Sequence, residues 1–388
     1  SNCNRKNYRR YIMIKQELTY WVTLALMPKM WTKRKNEIYA KCYLYKPQIS
    51  IIDLFEDSSN WDVVGLNDVE KSLFADARAQ LPNNSFLVEE LIDQGYDILP
   101  ITCDEYPKIL KENLKYNAPT VIYTKGNKAL LQENSIAIVG SRSADSLSLT
   151  FTDNIAKKAV SENKVVVSGF AKGVDRQALD SAIEANGKSI IVLPQGILTF
   201  KSGFKQYYKQ VTQGNLLVMS TFAPKAPWLV EFAMARNSII YGMASEIFVA
   251  QSDDKGGTWS GVIDGLRKNR PIYVRYPDKN EKNANILLVQ KGASAVDING
   301  QILTLSVDEQ KTSEQLQKEK FDLQIMEIFN MVDRISAKDI IQRLNIEWKD
   351  DKMKKYLENL QQVEKKKIGT CVYYSLKNKK SQQQQSLF

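Results

Sequence analysis

The stretch Ser135-Ile-Ala-Ile-Val-Gly140-Ser-Arg142-Ser143 decides the reading of this chain. A short apolar run ends in glycine, and hydroxyls and a cation follow. The run recurs at Val165–Ser168, Ser189–Leu193, Leu216–Met219, Glu246–Ala250 and Pro271–Arg275. These segments are β-branched, short and bounded by turn residues, as buried parallel strands are. Between them lie apolar stripes at helical spacing. One is Phe151, Ile155, Ala156, Ala159 and Val160; another is Leu179, Ala182 and Ile183. Alternating strands and helices predict an α/β fold with a doubly wound parallel sheet. Ligands of such sheets bind beyond the carboxyl ends of the strands.

Four glycine-bearing or polar segments are expected at that edge. The first carries Gly140, Ser141 and Arg142. The second, Ser168-Gly-Phe-Ala-Lys-Gly-Val-Asp175, carries Ser168, Gly169 and Lys172. The third is Arg236-Asn237. The fourth, Lys255-Gly-Gly-Thr-Trp-Ser260, carries Lys255, Gly257 and Thr258. A glycine after a strand lets the backbone turn tightly, so that amides and hydroxyls near a helix N-terminus face an anion. Arg142 adds a planar fork for phosphate oxygens. The set is cationic and hydroxylated, with no obvious acid–base pair. It predicts holding a phosphate chain rather than cleaving one, without catalytic residue, metal or cofactor. Phe170, Tyr207, Tyr208 and Trp259 are candidates for stacking on bases or for the core.

Composition narrows the chemistry further. The chain has 388 residues and no histidine. That excludes Ser-His-Asp units, His-ligated zinc and an imidazole general base. Lys and Arg number 54 against 44 Asp and Glu. Residues 1–46 hold eleven Lys and Arg against Glu17 and Glu37, and Lys349–Lys380 is basic again. Basic segments at both ends suggest a polyanionic partner. Four scattered cysteines, no CxxC pair and no evident signal sequence predict a reduced, cytoplasmic protein. The apolar run Leu18–Met27 is too short to span a bilayer.

The flanks read differently from the centre. Residues 1–97 predict a domain of short helices. Residues 305–320 are polar, a linker or exposed helix. From Phe321 three helices are expected. Ser336 caps the second, and the third carries Met353, Tyr356, Leu357, Leu360 and Val363. A turn at Ile368-Gly369 then leads into a strand, Thr370–Ser375. Three helices and a terminal ribbon make a winged-helix pattern over 321–376. Lys349, Lys352, Lys354 and Lys355 would give it a basic third helix. The tail 377–388 ends Gln384-Gln-Ser-Leu387-Phe388, which is similar to the Gln-x-x-Leu-Phe peptides that dock sliding clamps.

Within an α/β domain expected over 98–304, residues from about 98 to 300 resemble the DNA-processing protein A, or Smf, family. The resemblance rests on Tyr106-Pro107, Ala118–Asn127, Ile138–Arg142, Ser168–Asp175, Arg236-Asn237 with Ile239-Ile240, and Gly257-Thr258. It implies a Rossmann-like domain between a SAM-like helical domain and a winged helix. It also implies a homodimeric, non-enzymatic single-stranded DNA-binding protein that loads a RecA-type recombinase, with Ser141, Arg142, Ser168, Gly169, Lys172, Arg236 and Asn237 in its phosphate pocket. Three departures mark a divergent member. Leu179 stands where the family has histidine, Ser220-Thr221 replaces Ser-Glu, and Trp259 enters the glycine-rich fourth loop. Related phosphoribohydrolases carry a Pro-Gly-Gly-x-Gly-Thr-x-x-Glu loop, whose glutamate this chain lacks. A nucleotide-sensing or phosphoribohydrolase-like module and a protein-docking scaffold are the alternative readings.

Overall fold

The computed structural model describes residues 2–278, 280–305 and 307–377, without the side chains of 2–13, 307–316 and 319. Its strands are β1 (Asp97–Pro100), β2 (Val121–Gly126), β3 (Ser135–Val139), β4 (Val165–Ser168), β5 (Ser189–Val192), β6 (Leu216–Ser220), β7 (Glu246–Val249), β8 (Ile272–Arg275) and β9 (Ser294–Val296). They form one nine-stranded sheet in the order β1-β2-β6-β5-β4-β3-β7-β8-β9. From β6 to β9 every pairing is parallel, whereas β1–β2 and β2–β6 are antiparallel. The expected parallel strands are all present; β1, β2 and β9 extend the sheet beyond them.

Side-chain alternation along β3 explains its apolar run. Ile136 and Ile138 pack with Phe151, Ile155, Ala178 and Ala182 on one face. Ala137 and Val139 pack with Ile239, Ile240, Val262 and Leu266 on the other. A strand covered on both faces has no polar side to show. Fully burying each such Ile or Val is worth about 1.5–3 kcal/mol.

The N-terminal residues are helical as expected, but the first helix, Asn2–Leu26, is long. They also form no separate compact unit. Trp21, Leu24, Ile38, Phe55 and Phe74 share one core with Leu179, Ile191, Leu193 and Val218 of the α/β region. The compact units are instead 1–289 with 293–304, and 290–292 with 305 onward.

In the second unit the stretch expected as a linker or exposed helix is helical, within Val307–Met331. Its Glu, Gln and Lys residues are good helix formers. Helices Ala337–Leu344 and Asp350–Glu358 follow, and Ser336 caps the first of them. Leu360 and Val363 are not in the third helix. Asn359 ends it, and Val363 opens β10 (Val363–Ile368), which pairs antiparallel with β11 (Cys371–Leu376). The expected apolar spacing runs across that boundary because Val363 is buried in the same core, with Ile328, Phe329, Ile340, Met353, Leu357 and Tyr374. Among the described residues no helix is long and apolar enough to cross a membrane.

Candidate phosphate-binding site

The chain lays β4, β5 and β6 to one side of β3, then crosses to lay β7, β8 and β9 on the other. The switch therefore falls between β3 and β7, where Val139 lies opposite Val249. Loops leaving these two strands must part, and a crevice opens between them. Gln251 ties them at its base. Its carbonyl accepts from Ser141 N at 2.9 Å, and its side-chain oxygen accepts from Asp145 N at 2.8 Å. Gly173, at φ +77°, packs its backbone against the first of these loops. Any Cβ there would collide with the carbonyls of Ser141 and Arg142.

The crevice holds a cavity of about 400 Å³. Gly140, Ser141 and Arg142 line one wall, Lys255, Gly257 and Thr258 another, and Arg236 with Asn237 the floor between them. Helix Gly256–Arg267 starts inside it, which places the unbonded amides of a first turn at the cavity. Arg142 and Lys255 are exposed. Asp253 also lines the cavity, so the wall is not purely cationic.

Three expected residues are not in the wall. The Ser168 hydroxyl is buried and donates to Asp175 O at 2.8 Å. Gly169 is buried beneath Arg236, whose Nη1 donates to the Gly169 carbonyl; a Cβ at Gly169 would strike that guanidinium. Lys172 is exposed outside the cavity, while its neighbour Ala171 and Asp175 reach it. Arg236-Asn237 is also not a loop after a strand. It is the junction of helices Val230–Ala235 and Asn237–Met243.

Arg236 differs from the free cation that the sequence suggests. It is only 4% exposed. Its Nη1 also donates to Val192 O at 3.1 Å, and its Nη2 lies 3.5 Å from the Asp175 carboxylate. Burial pushes the Asp175 carboxyl up, against the pull of Arg236 and Arg142. Burial pushes the Arg236 guanidinium down, opposed by Asp175 and reinforced by Arg142. Arg236 and Asp175 thus form a mutually neutralising floor, and the uncommitted charge is at the rim.

A second buried network fixes the exit of β7. Arg275 pairs with Glu281 and donates to Ala250 O at 3.1 Å and Ser148 Oγ at 2.9 Å. The Asn285 amide donates to Ala250 O at 3.0 Å and Arg275 O at 2.8 Å, and its oxygen accepts from Ser252 N at 2.9 Å. Sequence reading missed Gln251, Asp175, Arg275 and Asn285 as positioning residues. The one available signal was an arginine closing an otherwise apolar strand.

The stacking candidates divide. Phe170, at φ +63°, is a bulky residue in left-handed backbone. Phe200 and Tyr207 hold its ring edge-on, and the Arg176 guanidinium lies 3.9 Å from its centroid. Tyr207 is buried, and Trp259 packs on the core. Tyr208 alone of the four is exposed, at 69%. Leu179 is fully buried in the core. In the second unit Lys354 is paired with Asp350 and Asp351, and Lys352 lies over the Trp348 ring, while Lys349 and Lys355 are exposed. Gln384, Leu387 and Phe388 lie outside the described residues.

Comparison with known proteins agrees with this fold. The family model for DNA recombination-mediator protein A matches residues 97–306. DNA processing protein DprA of Bacillus subtilis is 27% identical over 208 residues, 53% of this chain and 69% of that protein. The Streptococcus pneumoniae DprA is 29% identical over 181 residues, 47% of this chain and 63% of that protein. Protein Smf of Escherichia coli is 26% identical over 186 residues, 46% of this chain and 48% of that protein. The shared stretch thus spans from about half to two thirds of these relatives. The X-ray structure of DprA from Streptococcus pneumoniae has the same fold, with a TM-score of 0.59 at 23% identity over 73% of this chain and 95% of that one. The sheet, the switch-point cavity and a family match across more than half of the sequence lead to one conclusion: the chain belongs to the DNA recombination-mediator protein A family.

Proposed function

We propose that the chain binds single-stranded DNA at the switch-point cavity, without catalysis, and acts as a mediator that hands the strand to a RecA-type recombinase. The observation that carries the binding reading is the convergence of Arg142, Lys255, the Ser141 and Thr258 hydroxyls and a helix N-terminus on one cavity. A phosphate there meets two exposed cations and a set of amides, above a floor whose charge is already matched. Such a site holds a phosphodiester by charge and backbone. The names of the relatives, DNA processing proteins, support DNA as the polyanion. Homodimerisation and recombinase loading belong to this proposal through family membership. So does a winged-helix role for the second unit, whose three helices and antiparallel hairpin have the expected order.

The test is a titration of oligo-dT and of duplex of equal length at several salt concentrations. Tight, salt-sensitive binding of oligo-dT with weaker duplex binding supports the proposal. No binding of oligo-dT at low salt contradicts it. If a mononucleotide raises the melting temperature and a long strand adds nothing, a nucleotide sensor replaces it.

A further inference from the structure

The N-terminal helical residues carry an exposed surface that the switch-point site does not use. Helix Thr32–Leu44 begins behind Trp31, which is 87% exposed. Along it Lys33, Asn36, Ala40 and Tyr43 recur at helical spacing and share one face. Asn36 is the buried member. Its amide donates to Tyr116 O at 2.9 Å and Ala118 O at 2.7 Å, and its oxygen accepts from the Thr120 hydroxyl at 3.0 Å. A buried amide bonded at both ends fixes the helix on residues 116–120. Lys33 lies one turn before Asn36 and Tyr43 two turns after it, so they flank that segment, which itself presents exposed Lys115 and Tyr116.

The segment sits at the same edge of the sheet as the cavity. β2 runs antiparallel to β6, with Tyr123 opposite Ser220, so the residues leading into Val121 lie at the carboxyl end of the parallel strands. It is also joined to the cavity floor. Helix Lys108–Leu114 precedes it and packs on helix Asn237–Met243. There Asn113 Nδ2 donates to Gly242 O at 2.9 Å, and a Cβ at Gly242 would strike Leu110. Charge and composition select the occupant. Lys29, Lys33 and Lys115 are exposed. Against them stand Glu37, 3.9 Å from Lys33 and 4.0 Å from Arg34, and Glu112. Aromatic rings held in water among lysines match a polyanion that offers flat apolar faces. A single strand offers them, whereas a duplex keeps its base faces stacked inside.

We infer that Trp31, Lys33, Tyr43, Lys115 and Tyr116 form a second contact surface for single-stranded DNA, separate from the switch-point cavity, which takes the nucleotides flanking those held there. The inference rests on the single-stranded DNA reading and extends its footprint from the parallel sheet to the N-terminal helices. Those helices then bind the strand as well as sharing a core with the sheet. A strand long enough to reach both surfaces is held by both, and a short one only by the cavity.

The experiment compares an oligo-dT of about six nucleotides with one of about thirty. It uses the full chain, a Trp31→Ala, Tyr116→Ala double variant and a Lys33→Ala, Lys115→Ala double variant, each checked by thermal melting and light scattering. All four positions are exposed, so normal melting is expected. The aromatic variant should bind the long strand about tenfold more weakly. The lysine variant should lose about 1.4 from the salt slope for the long strand, for two phosphates released. Both should bind the short strand as the unmodified chain does. Unchanged affinity for the long strand in a variant that melts normally overturns the second surface and leaves the cavity reading intact. So does an equal loss for the two lengths. If the variants split an assembly of the unmodified chain while DNA affinity stays unmoved, the surface joins copies of the chain and the inference falls. If neither length binds at low salt, both readings fall together.

Discussion

Arg142 and Arg236 line the same cavity and do different work. Arg142 is exposed at the rim, whereas Arg236 is buried among the Gly169 and Val192 carbonyls and the Asp175 carboxylate. Arg142→Ala should leave the melting temperature almost unmoved and weaken oligo-dT binding about tenfold, as loss of a charge-assisted phosphate contact does. Arg236→Ala strips a buried carboxylate of its partner and should destabilise the fold by about 3–5 kcal/mol in urea denaturation. Equal loss of stability in the two variants would contradict this division. Both arginines are equally visible in the sequence as cations near glycines. What separates them is burial, set by the approach of Arg236, just after helix Val230–Ala235, to the Gly169 and Val192 carbonyls at the ends of β4 and β5, which no local pattern records. The same limit applies to Ser168, which reads as a phosphate hydroxyl and spends its proton on Asp175 O. Leu179 is the opposite case. An apolar residue at a position read as histidine in the family suggests fold rather than chemistry, and it is a core residue.

At the scale of elements, the parallel strands were legible because each is buried on both faces and therefore apolar throughout. β1 and β2 were not. They pair antiparallel at an edge, and Asp97, Thr124 and Lys125 interrupt the pattern. The apolar spacing of the second unit's third helix overruns the helix itself, because it carries through Leu360 into Val363, which changes element without leaving the core. Helix ends also explain Lys35. Its ammonium is buried and donates to Ala25 O at 2.6 Å and Met27 O at 2.8 Å, closing the end of helix Asn2–Leu26. Burial pushes its pKa down to about 8, below the roughly 10.4 of an exposed lysine. Between these values the unfolded chain binds the extra proton, so this group's contribution to stability rises with pH and is lost as pH falls through 8. Buried Cys42, pushed up to about 12, acts in the opposite sense above its unfolded value. The readout is therefore the difference between the unmodified chain and Lys35→Met. Urea denaturation from pH 8 to 10 should show that difference changing by at most about 1.4 kcal/mol per pH unit. A pH-independent difference would show that Lys35 does not titrate in this window.

At the scale of the molecule, the site depends on a topological event rather than on any one motif. The cavity exists because the chain reverses its direction of strand addition at β3, and because Gln251, Arg275 and Asn285 hold the exits of β3 and β7 at fixed spacing. Asn285→Ala leaves the Ser252 amide without its acceptor and should destabilise the first unit by about 1–3 kcal/mol, measured by denaturation. It should weaken oligo-dT binding although Asn285 is not in the cavity wall. Unchanged affinity in a destabilised Asn285→Ala chain would show that the spacing of the exits is not what makes the site. The central claim, that exposed charge at the switch point grips the phosphates of a single strand, is tested most directly by the salt dependence of oligo-dT affinity. Log affinity against log salt should be a straight line with a negative slope, shallower by about 0.7 in Arg142→Ala, as expected when one phosphate contact is removed. An affinity that does not change with salt, or a slope that Arg142→Ala leaves unaltered, would contradict it.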